Sequence, residues 1–129
     1  MLLNKFHLWI MLLGSSLIAP INSPAAEIRT FTLSTGDQTY FGASGDIKNI
    51  KNPTIKVKKG DKVVITLINN NSEMHDIALD SQLAKSKMLK QTGDRDTISF
   101  PAIGNDYYYC TVSGHRLAGM EGKIEVSEN

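Results

Sequence analysis

Cys110, His115 and Met120 offer a thiolate, an imidazole and a thioether at the spacing Cys-x4-His-x4-Met, in a stretch running from Tyr107 to Met120. Cys110 is the only cysteine in 129 residues, and His115 is one of three histidines. Soft sulfur ligands with imidazole suit copper, and two histidines with one cysteine and a weak axial methionine make the blue-copper arrangement. A lone buried cysteine can simply pack as a small hydrophobe. With His115 and Met120 close behind it, Cys110 reads instead as a ligand. Structural zinc fits less well, because it takes closed sets of Cys and His without methionine. The stretch supplies everything except a second histidine.

The choice for that ligand is narrow. His7 lies in a segment read below as an export signal, which leaves His75, 35 residues before Cys110. That separation is long enough for the chain to return on a neighbouring strand. Alone, His75 would read as a surface or hydrogen-bonded structural residue; with Cys110 and His115 in the same chain it completes the set. The adjacent Asp76 reads either as a group that fixes the geometry around a ligand or as a solvated turn carboxylate.

The elements that must position these residues are strands. Ile28–Leu33, Thr54–Lys58 and Lys62–Ile68 alternate or run apolar with β-branched enrichment, and Gly36-Asp37, Lys59-Gly60-Asp61 and Asn69–Ser72 supply turns between them. Further strands are expected near Tyr40-Phe41, over Met74–Leu79 with His75 at its start, and over Thr97–Phe100, Tyr107–Cys110 and Gly122–Val126. Residues 81–96 read as either a short helix or an extended crossing loop, with Lys85, Lys87 and Lys90 as a solvated face and Met88 as packing. Seven or eight short strands without a long helix indicate an all-β Greek-key sandwich or barrel. Short turns lead to an expectation of antiparallel pairing. Gly114 and Gly119 each precede a candidate ligand and would permit tight turns there.

Residues 1–26 have the layout of a secretory signal peptide: Lys5 near the start, an apolar run from Leu8 to Ile18, then Pro20, Pro24 and Ala25-Ala26. The run is short for a membrane span of about 20 residues, although an uncleaved anchor is the rival reading. Cleavage after Ala26 would leave one domain over 27–129. Lys5 is the only charged residue of the signal, so the domain carries 13 basic and 13 acidic residues. That balance gives no support to nucleic-acid or anionic-membrane binding. In an exported chain an unpaired cysteine suggests a reactive or ligating thiol.

The loop resembles the copper-binding loop of the cupredoxins, the small blue copper proteins, with a spacing similar to that of auracyanin and rusticyanin. Asn52–Asp61 and Met74–Ile77 also resemble cupredoxin domains attached to some copper nitrite reductases, and the likeness covers most of Lys51 to Val126. The resemblance implies an eight-stranded Greek-key sandwich, one type 1 copper ion, and His75, Cys110, His115 and axial Met120 as its ligands. Many family members have Asn after the first histidine, where this chain has Asp76. The resemblance also implies that His115 presents an edge to solvent within an apolar patch, with Leu117 and Ala118 contributing and Arg116 beside them. Leu117 packing inward is the alternative.

The function expected is electron transfer at one copper outside the cytoplasm, in the periplasm or its equivalent. A c-type cytochrome, a terminal oxidase or a copper nitrite reductase would serve as partner to a monomer with no stable membrane insertion. An enzyme is not expected, because catalytic copper generally needs further histidines with an open position. The alternative is a copper-handling protein without an electron-carrier role. Such proteins favour exposed Met-rich or His-rich tracts, and 27–129 has only Met74, Met88 and Met120.

Overall fold

Alternation of side chains across a pleat sets the architecture. In Lys62–Ile68, Val63, Ile65 and Leu67 are buried while the residues between them are not, and Ile55 and Val57 alternate with exposed lysines in the same way. A computed structural model describes residues 14–15 and 25–129. Within them lie β1 (Ile28–Gly36), β2 (Thr39–Gly42), β3 (Ile55–Lys58), β4 (Lys62–Ile68), β5 (Ala78–Leu79), β6 (Arg95–Pro101), β7 (Asp106–Tyr109) and β8 (Glu121–Ser127), with one 3-10 turn at Gly45–Ile47. The signal-peptide reading of 1–26, His7 included, falls outside the described residues except at 14, 15, 25 and 26. Among the described residues no helix is long and apolar enough to cross a membrane.

The strands form two four-stranded sheets, ordered β2-β1-β4-β6 and β3-β8-β7-β5. Their inner faces meet in one core that includes Leu33, Tyr40, Ile65, Leu67 and Phe100 from the first sheet and Ile55, Leu79, Tyr108 and Ile124 from the second. Complete burial of each such aliphatic or aromatic side chain contributes about 1.5–3 kcal/mol. The all-β sandwich of eight strands is therefore as expected.

Two expectations need correction. Pairing is not uniformly antiparallel: β1 runs parallel to β4, from Ile28↔Lys62 to Ser34↔Ile68, and β3 runs parallel to β8. The turn after β3 carries the chain from one sheet to the other, so β3 and β4 do not pair with each other and each finds a distant segment instead. The strand expected over Met74–Leu79 is reduced to Ala78–Leu79. Before it, His75 forms an isolated bridge with Leu89, exchanging backbone hydrogen bonds of 3.0 and 2.8 Å. Residues 81–94 contain no helix; they form the extended crossing loop that supplies this bridge, with Leu89 fully buried.

Asp61 secures the β3–β4 turn where it meets the start of β1. Its carboxylate accepts hydrogen bonds from the backbone N–H of Lys58 (3.0 Å) and Glu27 (3.2 Å). The Lys58 bond foremost, helped by Glu27 and the charges of Arg29 and Lys58, lowers the carboxyl pKa against an opposing effect of burial. A depressed folded-state pKa gives stability that is present above the unfolded value, about 3.9, and is lost as pH falls through the folded one. Asp61→Asn is therefore expected to melt below wild type at pH 7, with the gap closing below about pH 4. Parallel thermal melts at both pH values check this, and a gap independent of pH would show that the carboxylate's charge is not what the turn uses.

Candidate metal centre

The β7–β8 connection folds back so that Cys110 and Met120 lie side by side at its two ends. Cys110 N–H donates to the Met120 carbonyl at 3.2 Å, and Met120 N–H donates to the His115 carbonyl at 3.0 Å. Gly114 and Gly119 take φ values of 82° and 107°, in the left-handed region open to glycine, as the tight turns require. Beyond His115, Arg116 holds the loop from three sides. Its guanidinium makes a two-pronged pair with Asp80 (2.8 and 2.9 Å), a short contact to Glu121, and lies 4.1 Å above the Tyr109 ring. The Arg116 hydrogen bond also holds the Asp80 carboxyl below its ordinary pKa.

Among the described residues, His75, Cys110 and His115 bring one ligand atom each to within 4.8 Å of one another. His115 Nδ1 lies 3.6 Å from Cys110 Sγ, and the two imidazole centroids are 5.1 Å apart. His75 and Met120 are fully buried, Cys110 is nearly so, and His115 keeps 9% of its surface exposed. Three of the four residues expected from the sequence thus converge, and the fourth, Met120, is buried with its backbone hydrogen-bonded to both Cys110 and His115.

His75 is prepared to act as a neutral nitrogen ligand. His75 Nε2 lies 3.0 Å from Asn71 Oδ1, an acceptor, so this nitrogen carries the proton and Nδ1 carries the lone pair. His75 Nδ1 has no hydrogen-bond partner although it is buried, an arrangement that costs stability unless something fills it. Burial foremost, and then the neighbouring His115, lowers the His75 pKa, which favours the neutral ligand form. Burial raises the Cys110 pKa, opposed by the backbone N–H groups of Asp76 and Val112 directed at the sulfur. Metal ligation takes the thiolate, so uptake displaces that proton.

Around these four are groups that the sequence reading missed or left open. Asn71 was hidden in what reads as an ordinary Asn-rich turn; its only sequence signal is its place four residues before His75. Asn69 is fully buried, accepting from Thr35 Oγ1 (2.8 Å) and donating to the Glu73 carbonyl (2.8 Å), so this turn is a packed support. Asp76 is fully buried, which excludes the solvated-turn reading; it accepts from Thr111 N–H at 2.7 Å and pairs with the Thr111 hydroxyl. Tyr40 is a core residue whose hydroxyl donates to the Asp76 carbonyl at 2.5 Å. Leu117 is 93% exposed and does not pack inward, and Ala118 is exposed beside it.

The family of copper-binding proteins that includes plastocyanin and azurin matches residues 29–127. The chain belongs to that family. Comparison with curated protein sequences finds no significant match. Among solved structures, reduced rusticyanin superposes with a TM-score of 0.67 at 20% identity, over 80% of this chain and 81% of that one. Rusticyanin from Thiobacillus ferrooxidans gives 0.65 at 20% identity, covering 80% and 79%. Dithionite-reduced auracyanin from Roseiflexus castenholzii gives 0.60 at 19% identity, covering 81% and 99%. At such identities the likeness is one of fold, the cupredoxin sandwich. Family membership and the buried His75–Cys110–His115 group together fit a single type 1 copper ion.

Proposed function

We propose that the protein is an exported electron carrier whose one copper ion is held by His75, Cys110 and His115, with Met120 as the weak axial ligand. The observation that carries the reading is the buried group of two imidazoles and one thiol, with His75 Nδ1 left unpartnered in its midst. Copper in such a set cycles between Cu(II) and Cu(I). The chain's part is to hold the donors still: the Cys110–Met120 and His115–Met120 backbone bonds, the Arg116 contacts and the Asn71–His75 bond all restrict their movement. Limited rearrangement between oxidation states suits fast transfer. His115, the most exposed of the four, is the proposed point of exchange, with Leu117 and Ala118 as its apolar surround.

A respiratory redox protein is the proposed partner: a c-type cytochrome, a terminal oxidase or a copper nitrite reductase. A small apolar contact rimmed by charge suits a brief encounter. Carrier rather than enzyme is favoured because His75 and His115 are the only histidines of 27–129 and both belong to the proposed site. Export is supported by the 1–26 layout and by the unpaired Cys110. Cleavage after Ala26 would turn the Glu27 nitrogen, 3.2 Å from Asp61 Oδ1, into an ammonium group facing a carboxylate. Mass spectrometry of the exported protein should find Glu27 as its first residue.

Titration with Cu(II), followed by visible absorption and EPR, tests the central reading. The expected result is an endpoint at one equivalent, an intense blue thiolate-to-copper band and narrow copper hyperfine splitting. A colourless adduct with ordinary tetragonal EPR would sink the carrier reading and favour copper handling.

Asn71 gives a finer test of His75. Asn71→Ala leaves a buried Nε2–H without its acceptor, at a cost of about 1–3 kcal/mol, and frees the ring to turn. Loss of a group that orients a ligand typically lowers metal affinity by about 10–100-fold. Competition with a chelator should show that loss, whereas Asn71→Asp, which keeps an acceptor, should recover most of it. Equal affinity in all three proteins would remove Asn71 from any role in orienting the ring.

A further inference from the structure

The strap between Asp76 and Thr111 explains the shape of the site but not its charge. Asp76 follows His75, and Thr111 follows Cys110, so one side chain ties the two ligand segments together. Its Oδ1 accepts from Thr111 N–H at 2.7 Å and its Oδ2 meets the Thr111 hydroxyl. An asparagine could make the same two contacts, with its amide oxygen toward the N–H and its amide nitrogen toward the hydroxyl. What aspartate adds is a negative charge, fully buried. Opposite it, Lys85 places its ammonium 3.8 Å from Oδ2 while keeping about half of its side chain (54%) in solvent. Lys85 is held there by the backbone: it bridges to Ala78, and the next residue, Ser86, donates to the Ile77 carbonyl at 2.9 Å.

We propose that the Asp76 carboxylate sets the reduction potential of the copper centre downward, and that Lys85 is the counter-charge that limits this effect. The inference rests on the copper reading given above. Cu(II) with its thiolate carries one more positive charge than Cu(I) with the same ligand. A buried negative charge therefore favours the oxidised state, and an interior position weakens the solvent screening that would hide it. Lys85, half in water, opposes the carboxylate with a weaker and more salt-sensitive effect.

Potentiometric titration of the copper-loaded wild type, Asp76→Asn and Lys85→Met, at low and high ionic strength, tests this. Asp76→Asn is expected to raise the potential by a shift of about tenfold or more in the Cu(II)/Cu(I) affinity ratio, which is ~59 mV for one electron. That shift should persist at high salt. Lys85→Met is expected to lower the potential by less, with a shift that shrinks as salt is added. The blue band should remain in both, and hydrogen exchange on metal-free Asp76→Asn should still protect the Thr111 amide, showing the strap intact. Potentials unchanged in both variants, or moved in the same direction, would reduce Asp76 to a strap and overturn the proposal. Should Asp76→Asn lose its blue band, the surface variant Lys85→Met decides alone: a lowered potential supports the proposal and an unchanged one overturns it. A wild-type protein with no blue band fails the copper reading itself, and this one with it.

Discussion

Cys110→Ser is expected to abolish the blue absorption completely while leaving the sandwich folded. The colour of such a centre arises from charge transfer between a thiolate and Cu(II), and Cys110 is the only sulfur of that kind in the chain. Serine offers a hydroxyl that stays protonated near neutral pH and binds soft copper poorly. The fold has reason to tolerate the change. The Asp76 and Val112 N–H groups directed at the sulfur would meet a better acceptor, and the side chain shrinks only slightly. Burial of a hydroxyl without any partner costs about 1–3 kcal/mol on mutational evidence, and these N–H groups reduce that cost. Absorption, EPR and circular dichroism on the same sample separate the two effects. A blue band that survives in Cys110→Ser would exclude Cys110 as its source. A circular dichroism spectrum of unfolded chain would instead make Cys110 a packing residue above all.

How much of this was legible beforehand depends on the distance in sequence over which each feature is encoded. The Cys110–Met120 loop is local: its three donors and two glycines sit within eleven residues, so spacing alone exposes it. Strands such as Lys62–Ile68 are also local, because the pleat writes its period directly into the burial of Val63, Ile65 and Leu67. His75 was reached through the shortage of alternatives rather than through any pattern around it. The parallel pairing of β1 with β4 and of β3 with β8 is encoded by no neighbouring residues at all. The same holds for the site's supports. Asn71 and Asp76 look like turn residues until Leu89 bridges His75 and Thr111 arrives from 35 residues away. Polar side chains that read as solvated became buried because a crossing loop with no periodicity of its own packs over them.

Gly122→Ala is expected to be the most damaging single methyl group near the site. A Cβ at position 122 would stand 2.1 Å from both Cζ and the hydroxyl oxygen of Tyr108, and 2.4 Å from Cε1. The two residues are cross-strand partners in the β7–β8 pair, so the overlap cannot be relieved by a small slide. Nor can the ring swing aside freely. Its hydroxyl donates to the Pro53 carbonyl at 2.6 Å, and its edge packs on Tyr40 with centroids 5.2 Å apart. Overpacking of a core typically costs about 1–3 kcal/mol, and displacement of Tyr108 adds the lost hydrogen bond and the unpaired carbonyl, about 1–3 kcal/mol more. A loss of about 2–6 kcal/mol is a large share of the 5–15 kcal/mol typical of a domain. At roughly 4–8 °C per kcal/mol for a domain near this size, the melting temperature should fall by about 8 °C or more. The copper centre reports the same strain, since Tyr108 lies two residues before Cys110 and displacement of the ring would disturb the strand that delivers the thiolate. Tyr108→Phe removes one of the two closest overlapping atoms. It should be destabilising alone, yet combined with Gly122→Ala it should cost less than the two single changes together, the signature of residues in direct contact. Strict additivity, or a Gly122→Ala protein melting within a few degrees of wild type, would mean that β7 and β8 are free to separate here and that the loop's anchorage lies elsewhere.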